Sequence, residues 1–168
     1  YPWQARKIRK LLNSKPELKL SSNLILRKSE RFCDLKRRLA GGELGEVYSM
    51  YGSYDYGRIH KITEGWRGSI DFYSVVYGGA VHILDLMLWL SGKKVVEAAA
   101  YGTDIPTKDS QFKYDDTNMA VLKFDDGSVA GVTSNFSCVR PHFHQLQIYG
   151  TAGTFVNDAG CGRLYRSR

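Results

Sequence analysis

Gly78-Gly79-Ala80-Val81-His82-Ile83-Leu84-Asp85-Leu86-Met87-Leu88-Trp89-Leu90, followed by Ser91-Gly92, decides the fold. Apart from His82 and Asp85 its side chains are apolar around the whole helical wheel. This predicts a helix buried on every side, opened by the glycine pair and closed by Ser91-Gly92. Such a helix needs a sheet to lie on. Downstream, residues 95–101, 118–124, 128–136, 144–149 and 154–156 are short and rich in β-formers. Asp125-Asp126-Gly127 joins two of these strands as a tight hairpin, and Gly150-Thr151-Ala152-Gly153 joins another pair. Upstream, residues 46–56 alternate, with Tyr48, Met50, Tyr54 and Tyr56 on one side, as in a long, half-covered strand. Helices early and a strand meander late predict an α+β fold: an open, largely antiparallel sheet with helices packed on one face.

Further out, Pro2 suits the first turn of a helix whose apolar positions Ala5, Ile8, Leu11 and Leu12 recur at helical steps and which ends near Asn13 and Pro16. Residues 18–27 read as a strand. A second helix starts at Ser29 with Glu30 in its first turn, buries Phe32, Leu35 and Leu39, and stops at Gly41-Gly42, its basic last turn suiting the helix dipole. A loop is expected from 57 to about Tyr73. The polar segment 103–116 is expected to be a mobile loop.

The 168 residues are 43% hydrophobic and 24% charged, the mixture of a globular domain and not of a disordered or collagen-like chain. A chain of this length supports one core without disulfide or metal staples. Lys and Arg number 24 against 17 Asp and Glu, giving a net charge of +7 and favouring acidic partners. The basic runs Arg6-Lys7-Ile8-Arg9-Lys10 and Lys36-Arg37-Arg38 both lie on helical patterns, where solvated outer faces and phosphate contacts are the two readings. Cys33, Cys138 and Cys161 form no close pair, which fits a reducing, cytoplasmic setting. No apolar run approaches the ~20 residues that span a bilayer, so no membrane partner is expected.

His82 and Asp85 share one face of the central helix, and Trp89 continues it. Two readings fit the pair. One is an imidazole poised between burial, which lowers its proton affinity, and a carboxylate, which raises it; the other is a histidine satisfied in the core with Asp85 bonded to backbone. Cys138, His142 and His144 have spacings that imitate a metal site, and His142 and His144 share one face of an extended segment, but no fourth ligand is evident and no metal is expected. No G-x-S-x-G elbow, P-loop or G-x-G-x-x-G fingerprint occurs, and Gly41-Gly42-Glu43-Leu44-Gly45 has the wrong spacing. Trp66-Arg67, with Tyr73 and Tyr77, sets aromatic faces and a fixed positive charge just ahead of the His82 helix. Sugars stack on such faces and Arg grips carboxylates or phosphates, while ordinary core packing explains the same aromatics. No RNP-like or KH-like sequence is present, so nucleic-acid binding is not expected.

With these residues in place, the chain resembles the C-terminal portion of the glucose–fructose oxidoreductase/inositol dehydrogenase (Gfo/Idh/MocA) family. The match is carried by residues 23–27 with Arg31-Phe32, by Gly42-Glu43-Leu44-Gly45-Glu46-Val47, by the Gly78–Leu86 helix with His82 and Asp85, and by the segments around Phe124–Gly127 and Ile148–Thr154. The resemblance implies that residues 1–27 are the last helix and strand of a Rossmann domain. Residues 28–168 would form the substrate-binding and oligomerisation domain, whose open sheet face makes a homo-oligomer. It further implies a parent enzyme that transfers hydride between NAD or NADP and a hydroxyl-bearing carbon of a sugar, cyclitol or related metabolite. His82 matches the family's active-site histidine, with Trp66, Arg67, Tyr73, Tyr77 and Asp85 as substrate-binding candidates. The cofactor is not expected to be held by this part of the chain, since the family's Glu-Lys-Pro lysine is not matched by Ser14-Lys15-Pro16. Many members carry an aspartate four residues before the histidine, where this chain has Gly78. A non-catalytic binding module on the same fold is the alternative.

Overall fold

The computed structural model describes residues 1–158 and 160–167. Helix α1 (Pro2–Ser14) is followed by an irregular stretch and a single 3-10 turn (Ile25–Lys28), then by α2 (Glu30–Ala40) and strand β1 (Val47–Asp55). Two short helices, α3 (His60–Thr63) and α4 (Trp66–Ser69), lead to a π-turn (Val76–Ala80) that runs into α5 (Val81–Ser91). Six strands complete the chain: β2 (Val95–Thr103), β3 (Thr117–Phe124), β4 (Val129–Asn135), β5 (Phe143–Gly150), β6 (Thr154–Asp158) and β7 (Cys161–Tyr165).

The seven strands form one open sheet in the order β2-β3-β4-β1-β5-β6-β7. Every neighbouring pair is antiparallel except the central β1–β4 pair, which is parallel. Both predicted hairpins are present: Asp125-Asp126-Gly127 joins β3 to β4, and the Gly150–Gly153 turn closes on itself through a Gly150 N–H to Gly153 carbonyl bond of 2.8 Å. Inward-facing residues alternate along each strand. Met50 and Tyr54 of β1, Ala130 and Val132 of β4, Leu122 and Phe124 of β3, Leu146 and Ile148 of β5 and Phe155 of β6 are buried beneath the helices.

Helix α5 lies on this face and buries Ile83, Leu86, Met87 and Leu90, whose three- and four-residue spacing makes one stripe. Each such side chain contributes about 1.5–3 kcal/mol when fully enclosed. Gly92 ends the helix in the left-handed conformation at φ 71°, as the Ser91-Gly92 pair predicts. Helix α2 starts and stops where expected and buries Phe32 and Leu35. The second basic run is spent inside the fold. The Lys36 ammonium donates to the Trp89 and Leu90 carbonyls at the C-terminus of α5, at 2.7 and 3.0 Å, where the helix dipole favours a cation, and Arg37 and Arg38 pair with Asp34.

Several expectations are corrected. Residues 18–27 are not a strand, because a strand exists only against ladder partners and this segment pairs with none. Instead Arg27 is drawn to α5. Helix α5 is not enclosed all round: Leu88 is exposed and Val81, His82, Leu84, Asp85 and Trp89 are only half-buried. The expected loop before Tyr73 contains α3 and α4, with Ile62 buried. Segment 103–116 is polar yet anchored, with Thr107, Phe112 and Asp116 buried and the Thr107 hydroxyl donating to the Asp116 carboxylate at 2.9 Å. Strand β7 and the parallel β1–β4 pairing have no local sequence signal.

Candidate functional site

Segment 75–82 sets the geometry of the site. The Ser134 hydroxyl donates to the Val75 carbonyl at 2.8 Å, tying the segment to β4. The next turn is widened, the Val81 N–H reaching the Val76 carbonyl five residues back. The glycine pair makes room for two rings. A Cβ on Gly79 would lie 2.6 Å from the Tyr54 ring, and one on Gly78 would lie 2.0 Å from the Tyr73 hydroxyl. The Tyr73 phenol therefore occupies the space into which a side chain at position 78 would grow. It accepts a 3.2 Å hydrogen bond from Arg67 Nε.

His82 emerges one turn later, half-buried, and its ring stacks on Tyr54 with centroids 6.0 Å apart. Tyr54 is the hub of the cluster. In the β1–β5 register it stands opposite His144, at 5.1 Å, and His142 meets the same ring at 5.1 Å. His142 and His144 are 4.7 Å apart, and His82 lies 6.1 Å from His144. Tyr56 packs on Tyr54 at 5.6 Å, and Phe136 joins Tyr54 at 5.9 Å to Tyr73 at 6.2 Å. The result is one aromatic floor with three imidazoles along it. Two imidazole nitrogens, His82 Nδ1 and His144 Nε2, are enclosed without a hydrogen-bond partner among the described residues. Buried polar atoms normally find one, so each nitrogen has an unmet hydrogen-bonding capacity.

The electrostatics keep this floor neutral. Burial pushes Tyr54 up to about 12, helped by the phenols of Tyr56 and Tyr73. Tyr73 is also raised by burial, partly offset by Arg67. His144 is pushed down to about 4 by burial, then by His142 and His82, and His142 is lowered by burial, then by Arg58 and His82. At neutral pH the phenols therefore retain their protons and the His142 and His144 rings are uncharged donors and acceptors.

Of the residues singled out from the sequence, the structure gathers Arg67, Tyr73 and His82 onto this floor. Trp66 is 62% exposed, edge-on to Tyr73 at 6.4 Å, with the Arg67 guanidinium 4.7 Å above its ring. Tyr77 is 74% exposed and contacts Phe72; with Tyr1, Pro2, Tyr73 and Gly78 these two line a concavity of about 350 Å³ beside the glycine pair. Asp85 points elsewhere: Arg27 Nε and Nη2 donate to its two carboxylate oxygens at 2.7 and 2.5 Å, and the same guanidinium lies 6.0 Å over Trp89. Sequence reasoning missed Tyr54, Tyr56, Arg58 and the company that His142 and His144 keep. The only signal was the shared face of Tyr54 with Tyr56 and of His142 with His144. Among the described residues no group of three His, Cys, Asp or Glu side chains is arranged to hold a metal ion.

An open, mostly antiparallel sheet carrying one glycine-opened helix with an inward histidine defines an α+β domain class. The family described as GFO/IDH/MocA C-terminal domain matches residues 32–156, and the chain belongs to it. No curated protein sequence matches the chain. Among solved structures, myo-inositol 2-dehydrogenase from Lactobacillus plantarum superposes with a TM-score of 0.81 at 19% identity, over 90% of this chain and 45% of that one. An NAD binding oxidoreductase from Klebsiella pneumoniae gives 0.82 at 18% identity, over 98% and 47%. Scyllo-inositol dehydrogenase from Lactobacillus casei, with bound cofactor NAD(H) and scyllo-inositol, gives 0.76 at 16% identity, over 89% and 45%. At these identities the likeness is one of fold, and the chain spans less than half the length of each structure.

Proposed function

We propose that this chain is the substrate-binding part of a nicotinamide-dependent oxidoreductase acting on a hydroxyl of a sugar, cyclitol or related metabolite, with His82 as its catalytic residue. The observation that carries the proposal is the enclosed, unpartnered His82 Nδ1 on a floor of neutral phenols and imidazoles. In this reading His82 holds the reacting hydroxyl and takes its proton as the carbonyl forms. Tyr73, fixed by Arg67 in the space left by Gly78, presents a neutral phenol to the same hydroxyl from the other side. Tyr54 and Phe136 supply the apolar floor, Trp66 and Tyr77 supply exposed rings for stacking, and Asp85 acts through Arg27 by positioning α5.

This chain offers no glycine-rich phosphate cradle, so NAD or NADP is assigned to a nucleotide domain to which residues 1–27 belong. The amphipathic α1, which buries none of its residues here, is consistent with that assignment. When bound, the nicotinamide would accept or return hydride at the substrate carbon. The helix-free sheet face, where Met119, Val121 and Val129 are exposed, is the proposed homo-oligomer surface. The free thiols of Cys33, Cys138 and Cys161 favour a cytoplasmic setting, and no helix among the described residues is long and apolar enough to cross a membrane.

The test uses the protein as encoded, supplied with NAD or NADP and a panel of sugars and cyclitols, with hydride transfer read by nicotinamide absorbance. His82→Ala should retain cofactor binding and lose about 100-fold or more in kcat. Wild-type turnover in that variant overturns the role of His82. Absence of turnover from the unmodified protein favours the non-catalytic binding module.

A further inference from the structure

Among the described residues, arginines on the folded body are, with two exceptions, committed to acceptors of the chain itself. Arg27 holds Asp85, Arg37 and Arg38 hold Asp34, Arg140 holds Asp55 at 2.8 Å, Arg163 holds Asp158, Arg166 holds Glu43, and Arg31 donates to Asn157 and to the Gly160 carbonyl. Arg58 and Arg67 pair with no carboxylate among the described residues. Both lie on the aromatic floor. The Arg58 guanidinium sits 5.1 Å above the Tyr56 ring, and the Arg67 guanidinium sits 4.7 Å above Trp66 and 5.9 Å above Tyr73, with only the Tyr73 hydroxyl as acceptor. Arg58 is one ring removed from Tyr54, against which His82 stacks, since Tyr56 touches Tyr54 directly; Arg67 is two rings removed, since Tyr73 reaches Tyr54 through Phe136.

The nearby carboxylates do not balance these charges. Asp55 is buried and neutralised by Arg140, and Asp85 is spent on Arg27. The remaining groups facing the floor are imidazoles and phenols, none of which contributes a negative charge at neutral pH. A guanidinium held over an aromatic face with no carboxylate partner keeps N–H donors free to receive a planar or tetrahedral oxyanion.

We infer that the aromatic floor takes a hydroxylated ligand bearing a carboxylate or phosphate, with Arg58 and Arg67 holding the anionic group while His82 faces the hydroxyl. This rests on the His82 floor being the substrate site. The two arginines are specificity-determining: a neutral polyol would leave both guanidiniums without a counter-charge.

The experiment measures equilibrium binding to the protein as encoded, by isothermal titration and by the imidazole NMR signals of His82 and His144. D-Glucose and myo-inositol are compared with D-glucuronate, D-gluconate and D-glucose 6-phosphate. At least one anionic probe should bind tenfold or more tightly than its neutral counterpart, and carboxylate and phosphate arms show which oxyanion is preferred. Arg58→Gln and Arg67→Gln should each weaken that probe about tenfold, more than they weaken its neutral counterpart, and flatten its salt dependence. Circular dichroism and urea unfolding confirm that these variants, altered at partly exposed positions, remain folded. Equal affinity for neutral and anionic probes, a preference that survives in the double variant, or binding of none of the probes overturns the inference. Anion-selective binding without hydride transfer would sustain it while removing the oxidoreductase reading.

Discussion

Lowering the pH from 7 to 5 probes the enclosure of His144, on which the neutrality of the site depends. In the folded protein this imidazole is held down to about 4, by burial first and then by His142 and His82, whereas in the unfolded chain it has its ordinary value of 6.5. A lowered folded value means that the unfolded chain takes up the proton first. The stability is therefore intact above 6.5, falls as the pH drops from 6.5 towards 4, and loses nothing further from this group below that. At pH 5 a fully enclosed ring would cost about 2 kcal/mol. Solvent reaches part of this ring, and halving the figure for screening leaves about 1 kcal/mol. Carboxylates titrate over the same range, so the comparison is with His144→Phe, which keeps an aromatic ring against Tyr54 and removes both nitrogens. In urea unfolding at the two pH values, the wild-type protein should lose about 1 kcal/mol more than the variant. Equal losses, or an NMR titration of the His144 ring with its midpoint near 6.5, would refute the enclosure.

Two further outcomes follow from the packing around α5. Gly78→Ala brings a methyl group 2.0 Å from the Tyr73 hydroxyl, so the overpacking cost of about 1–3 kcal/mol should outweigh the gain of up to about 1 kcal/mol from replacing a helical glycine. In a Tyr73→Ala background the same substitution should become neutral or stabilising, and a double-mutant cycle by urea unfolding without coupling would contradict the wedged position of Tyr73. Asp85→Asn removes the charged partner of Arg27, and hydrogen exchange of residues 25–28 should accelerate several-fold while the strands of the sheet stay protected; unchanged exchange there would show that the clamp does not hold the segment.

Features fixed by neighbouring residues were legible in the sequence. The α5 helix, the Gly92 cap, the two late hairpins and the limits of α2 each follow from spacing or turn chemistry within a dozen residues, whereas the all-round burial expected of α5 did not hold. What escaped notice joins residues far apart along the chain. Arg27 meets Asp85 with 58 residues between their numbers, and this contact turns an apparent strand into a strap across the helix. It also occupies both oxygens of a carboxylate that the sequence offers as a ligand-binding candidate. Similarly, Gly78 looked like a missing functional group, and only the folded chain shows a phenol from Tyr73 standing in its place.

The site itself is a consequence of register. Tyr54 faces His144 because β1 pairs with β5 in one alignment, and a slip of one residue would send Tyr54 to the open face and bring buried Ser53 under the glycine pair. Neither strand encodes that alignment alone. It is reinforced from outside the sheet, because Gly79 admits the Tyr54 ring at a distance that any side chain at position 79 would prevent. The glycine pair read from the sequence as a helix opening thus also selects which residues of β1 reach His82. For this reason Gly79→Ala should disturb the imidazole cluster more than it disturbs the helix it precedes.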